Sequence, residues 1–60
     1  MIGKSVSFYV YDDNGNEILT IGIVEDTFYE EGDPREACVV RTRDGHIYTP
    51  DTQEVRIIEG

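Results

Sequence analysis

The sequence predicts an all-β chain of five short strands. Three observations carry this. Residues 4–11 alternate apolar and polar with a period of two, as a strand with one buried face must. Asn14-Gly15 and Asp44-Gly45 each stand between two strand-like runs, and Gly takes the positive φ that tight hairpin turns require. No stretch keeps a 3.6-residue apolar period long enough for an ordinary α-helix.

In chain order, the first strand covers residues 4–11. Val6, Phe8 and Val10 share one face and are assigned to the core; Ser5, Ser7, Tyr9 and Tyr11 share the other. Asp12-Asp13-Asn14-Gly15-Asn16 reverses the chain, with Asn14-Gly15 as the left-handed pair. Residues 17–28 form a long second strand. Its alternation gives Leu19, Ile21 and Ile23 as the inward set and Ile18, Thr20 and Val24 as the other side. Gly22 interrupts that pattern and is the candidate for a bend, a bulge or a close backbone approach.

Residues 29–36, Tyr-Glu-Glu-Gly-Asp-Pro-Arg-Glu, read as an exposed acidic loop. Pro34 pushes Asp33 toward an extended shape. Residues 37–43 carry the β-branched positions Val39, Val40 and Thr42, which suit a half-buried pleated surface. A two-residue Asp44-Gly45 turn leads into a return strand over residues 46–49. Pro50 ends that strand because it has no N–H for the ladder. Residues 51–53 fit one 3-10 turn, and residues 55–58 resume the strand pattern.

A hairpin, a 3-10 turn and a short last strand resemble the closing half of an SH3-like barrel; a front hairpin and a longer loop complete its five strands. The resemblance implies one small five-stranded SH3-like β-barrel over residues 1–60. Many unrelated functions use that fold, so it assigns no activity. A closed sheet has no exposed edges, which helps a chain that buries only about 60% of its unfolded surface. Pairing with a second copy is the other common remedy at 60 residues, so a homodimer is weighed beside a lone barrel.

Thirteen acidic residues face five basic ones, a formal net charge of −8. Such a chain repels nucleic acid and anionic membrane surfaces and favours basic partners, although acidity also serves plain solubility. Arg41, Arg43 and Arg56 gather into one basic minority if the last two strands are neighbours; otherwise they pair with Glu54, Glu59 or Asp44. Cys38 is alone, which excludes an intrachain disulfide and fits a reducing compartment. With no charged-then-apolar leader and no long apolar run, the expected location is the cytoplasm.

No catalytic signature is present: one His, one Cys and no Gly-rich phosphate loop. A Cys38/His46 pair would need an exposed, activated thiolate, whereas a Cys in a Val-rich strand is ordinarily an inert buried residue. The carboxylates from Asp12 to Glu17 lack the spacing and terminal bidentate Glu of a calcium loop. The expectation is therefore no enzyme, no metal and no cofactor.

The candidate contact residues are aromatic and acidic. Tyr9, Tyr11, Tyr29 and Tyr48 offer large rigid rings with polar tips. Asp12, Asp13, Glu17, Glu25, Asp26, Glu30, Glu31, Asp33 and Glu36 offer an acidic surface for an Arg- or Lys-rich partner. In size and charge the chain is similar to small phage-encoded or mobile-element proteins that bind and block a host protein, some by imitating the negative surface of DNA. The expected function is a non-enzymatic, acidic protein-binding module of that kind. The rivals are an accessory subunit docked by Tyr contacts and strand edges, and a small-molecule or nucleotide binder formed as a dimer.

Overall fold

A computed structural model describes residues 1–59. Five strands form one antiparallel sheet: β1 (Ser5–Tyr11), β2 (Glu17–Tyr29), β3 (Glu36–Thr42), β4 (Ile47–Tyr48) and β5 (Arg56–Glu59), in the order β4-β3-β2-β1-β5. A 3-10 turn, Thr52–Glu54, precedes β5. The expected closure into a barrel is absent among the described residues, and β4 and β5 remain the two edges. The cause is local. β4 is only two residues long. Beyond it the chain leaves the ladder but stays beside β3, where the Cys38 N–H donates to the Pro50 carbonyl at 2.8 Å and Ala37 bridges Asp51.

Both hairpins use the same three-residue loop rather than the expected two-residue turns. The Gly15 N–H donates to the Asp12 carbonyl at 3.0 Å, and the Asp12 N–H donates to the Asn16 carbonyl at 3.0 Å. Thr42, Gly45 and His46 repeat this arrangement in the β3–β4 hairpin. The left-handed position falls on Gly15 (φ 83°) and Gly45 (φ 89°) alone; among the described residues no other residue type has positive φ, so Asn14 does not share that role. This is a type I turn followed by a glycine bulge, a standard three-residue hairpin connection.

The loop length fixes which face of β2 is buried. Asp12 closes onto Asn16, so Val6 lies opposite Gly22, Phe8 opposite Thr20 and Val10 opposite Ile18. Tyr9 then lies opposite Leu19, and Ser7 opposite Ile21. The sequence expectation for β2 is thereby inverted. Thr20, Gly22 and Val24 share the core side with Val6 and Phe8, while Leu19, Ile21 and Ile23 are exposed beside the tyrosines. A slip of one residue moves every side chain of a strand to the other face.

The core is Val6, Phe8, Val24, Cys38 and Val40, with Val10, Tyr48 and Val55 packed against it. Gly22 sits where β2 turns from β1 to β3, and a Cβ there would lie 2.6 Å from Val40 Cγ1 and 2.7 Å from the Arg41 carbonyl oxygen. It is thus a position of close backbone approach. The register irregularity of β2 falls between Val24 and Asp26, so Glu25 is the bulged residue. No helix among the described residues is long and apolar enough to cross a membrane.

Candidate interaction surfaces

The outer face of the sheet is apolar. β1 supplies Tyr9 and Tyr11, 61% and 70% exposed, and β2 supplies Leu19, Ile21 and Ile23, each more than half exposed. Ile47 of β4 stands opposite Arg41, which in turn lies opposite Ile23. Ile58 of β5 borders a groove with Tyr9, Leu19 and Arg56. Between Ile21, Ile23, Arg41 and Arg43 lies an open hollow of about 400 Å³. Arg41 is held in place there by its Nε, which donates to Glu25 Oε2 at 2.7 Å. Alternating apolar residues facing water make this face a candidate contact surface, since a solvated sheet face ordinarily alternates to polar.

Most of the candidate acidic residues stand toward the two ends of β2, with Glu25 and Asp26 at its bulge. At the β1–β2 turn, Asp12 is engaged by its own loop. Its Oδ1 accepts the Asn14 and Asn16 amides at 2.9 Å each, and Oδ2 accepts Asn16 Nδ2 at 3.3 Å. The Asn16 amide is the main reason its carboxyl titrates below the ordinary range. Asp13 and Glu17 beside it are exposed.

At the far end, Tyr29 is 64% exposed and runs into Glu30 and Glu31, both exposed. Asp33 accepts the Arg35 backbone amide at 2.9 Å and two guanidinium bonds at 3.1 and 3.2 Å. Its carboxyl is held low by that guanidinium. Arg35 also reaches Asp51 at 3.5 Å, tying the loop to the segment before the 3-10 turn. Glu25 and Asp26 sit at the bulge; Asp26 Oδ1 accepts the Thr27 amide at 2.8 Å. Glu36, half-buried, begins β3, and its carbonyl accepts the Thr52 hydroxyl at 3.2 Å.

The candidate residues are therefore not one surface. Tyr9 and Tyr11 belong to the apolar face, Tyr29 to the far acidic loop. Tyr48 is half-buried with its ring edge against Phe8, centroids 5.7 Å apart. The arginines also separate. β5 pairs with β1 and not with β4, so Arg56 lies opposite Ser7, across β1 and β2 from Arg41. The residues that sequence reasoning left out are Leu19, Ile21 and Ile23. Their signal was the hairpin loop length.

Cys38 is fully buried on β3, with Sγ 3.4 Å from Met1 Sδ, whereas His46 is exposed in the β3–β4 hairpin. Burial, followed by the charge of Glu36, pushes the thiol up from its ordinary value, opposite to what a nucleophile needs. In the hairpin, Asp44 accepts the Thr42 hydroxyl and contacts His46 Nδ1 at 2.8 Å. These hydrogen bonds, that from Thr42 foremost, lower its pKa to about 2. Among the described residues no three of His, Cys, Asp and Glu converge into a group that would hold a metal ion.

Compared with known proteins, the chain matches no family model, no curated protein and no solved structure at a significant level.

Proposed function

We propose that the chain is a non-enzymatic, cytoplasmic protein-binding module that takes a partner with a basic surface. The observation that carries this reading is the Tyr29–Glu36 loop, where an exposed ring adjoins exposed Glu30 and Glu31 on a segment braced by the Asp33–Arg35 pair. An exposed ring and unpaired carboxylates suit an Arg- or Lys-rich surface, by cation–π contact and charge-assisted hydrogen bonds. The net charge of −8 speeds such an encounter by long-range attraction. An inhibitor of a host protein that occupies a DNA-binding cleft is the particular form of this reading, with the two acidic ends of β2 standing in for phosphates.

The finer fold assignment is also a proposal. The succession of hairpin, acidic loop, hairpin, 3-10 turn and a last strand returned to β1 supports an SH3-like arrangement, left open between β4 and β5.

The test is capture of partners from a bacterial lysate at low and at high salt, read by mass spectrometry. The reading expects a dominant partner with a basic cleft, released as salt rises and lost when Glu30, Glu31, Asp33 and Glu36 are neutralised. Capture unchanged by those substitutions would remove the loop from the contact. The second reading, a docked accessory subunit, is favoured by the apolar outer face and expects capture that survives high salt.

A further inference from the structure

We propose that the outer face of the β1–β2 hairpin is a homodimer interface, in which two copies stack these faces about a two-fold axis passing near Ile21. This is independent of the acidic-loop reading, because the Tyr29–Glu36 loop lies at the far end of β2 and stays open in such a dimer.

Three features point to a second copy. The first is area. Tyr9, Tyr11, Leu19, Ile21, Ile23, Ile47 and Ile58 are all between 46% and 70% exposed. At roughly 100 Å² each they present about 700 Å², close to the about 800 Å² that each partner contributes to a standard interface. It exceeds the roughly 300–600 Å² of the largest patch on a typical monomer.

The second is shape. The same face carries a projection, the Tyr9 and Tyr11 rings, and a hollow of about 400 Å³ flanked by Ile21, Ile23, Arg41 and Arg43. Projection and hollow lie on opposite sides of Ile21 along β2, because Tyr11 is opposite Glu17 and Tyr9 opposite Leu19, while Arg41 is opposite Ile23. A two-fold axis near Ile21 carries each projection onto the other copy's hollow, as an isologous contact demands.

The third is charge. The apolar face is bordered by Arg41 and Arg43 at the hollow and by Glu17 at the tyrosine end, with Asp13 in the adjoining turn. The same rotation brings Glu17 and the Asp12–Asn16 turn of one copy to the arginines of the other. The tyrosine rings also meet guanidinium groups, a favourable stacking. Each copy is strongly acidic, but the carboxylates beside this face have neighbours of their own. Glu25 is held by Arg41, Asp44 lies beside Arg43 and His46, and Glu54 lies beside Arg56, which leaves Glu17 and Asp13 to meet the other copy's Arg43.

Sedimentation of the full chain across a concentration series tests the proposal. The wild type is expected at twice the 6.8-kDa chain mass. Ile21→Asp puts an unpaired charge on the axis and raises the dimer dissociation constant by roughly 100-fold or more. Arg43→Glu and Glu17→Arg each weaken the dimer, and combining them restores it. Should Ile21→Asp fail to fold, cysteine crosslinking supplies the answer. Under oxidation Ile21→Cys gives a covalent dimer, whereas Ile18→Cys, exposed on the opposite side of β2, does not. A 6.8-kDa species at every concentration overturns the proposal, as does a dimer that crosslinks through position 18 and not 21. If the wild type is monomeric and Ile21→Asp instead abolishes capture of another protein, the face belongs to that protein and the homodimer is refuted. Loss of capture through the Tyr29–Glu36 substitutions bears only on the loop.

Discussion

Gly22 has no room for a side chain. A Cβ at that position would approach the Arg41 carbonyl oxygen to 2.7 Å, and backbone cannot step aside as a flexible side chain does. Gly22→Ala is expected to destabilise the fold by about 1–3 kcal/mol, measured as a lower urea midpoint. Phe8 carries more. It is the one ring fully within the core, and Tyr48 leans on its face. Phe8→Ala costs about 3–5 kcal/mol by the usual cost of emptying a core site. A chain of this length has a total stability on the order of 3–9 kcal/mol. That variant is therefore expected to lose its cooperative unfolding transition. At the surface, Asp44 makes stability depend on acid. Its folded pKa of about 2 lies below the ordinary 3.8, so its contribution is fully present above the ordinary value and is lost as pH falls toward the folded one. Urea midpoints measured from pH 5 to pH 2 should fall, and Asp44→Asn should make that fall shallower. An equally steep fall in the variant would mean that other carboxylates carry the acid sensitivity.

The hairpins decide what was legible in the sequence. Both turn sites were readable from Asn14-Gly15 and Asp44-Gly45, and all five strands lie within a residue or two of where alternation and punctuation placed them. The face of β2 was not readable from β2 itself, because apolar residues occupy both of its faces: Ile18 and Val24 on one side, Leu19, Ile21 and Ile23 on the other. A two-residue turn pairs Asp13 with Asn16 and sends Ile21 inward opposite Phe8. The observed three-residue loop pairs Asp12 with Asn16 and sends Thr20 there instead. Asp12 favours the longer loop by accepting both amides on its far side. Deleting Asn16 closes the same three-residue loop onto Glu17 and is expected to force the opposite register, with Ile21 opposite Phe8. That sets Leu19, Ile21 and Ile23 against the core while exposing Val24, with loss of a sharp unfolding transition. An undisturbed transition in that variant would show that core packing, and not the loop, sets the pairing.

At the scale of the molecule, the sheet has more large apolar side chains outside than in. Six apolar residues are buried, whereas twelve large ones are exposed among the described residues. A chain of this size buries little and leans on something beyond its own core. Sequence reasoning expected barrel closure to answer that need. The two-residue β4 and the departure of the chain at Pro50 leave the sheet open, with its apolar outer face uncovered. Asp12, Asp13 and Glu17 stand at one end of β2 and Glu30, Glu31 and Asp33 beyond the other, while Glu25 is held by Arg41 on the outer face. The candidate contact residues were visible in the sequence as residue types. Their division between an apolar face and two acidic ends follows from strand order and register, which composition does not contain.

The division of β2 into a buried and an exposed face is tested most directly by urea unfolding, followed by far-ultraviolet circular dichroism, of Val24→Asp beside Ile21→Asp. Val24 is 1% exposed and Ile21 54%. Val24→Asp is expected to leave the chain unfolded in water, while Ile21→Asp keeps the strand spectrum and a cooperative transition. The reverse order, with Ile21→Asp unfolded and Val24→Asp intact, would mean that β2 is turned the other way and that the outer face is the core.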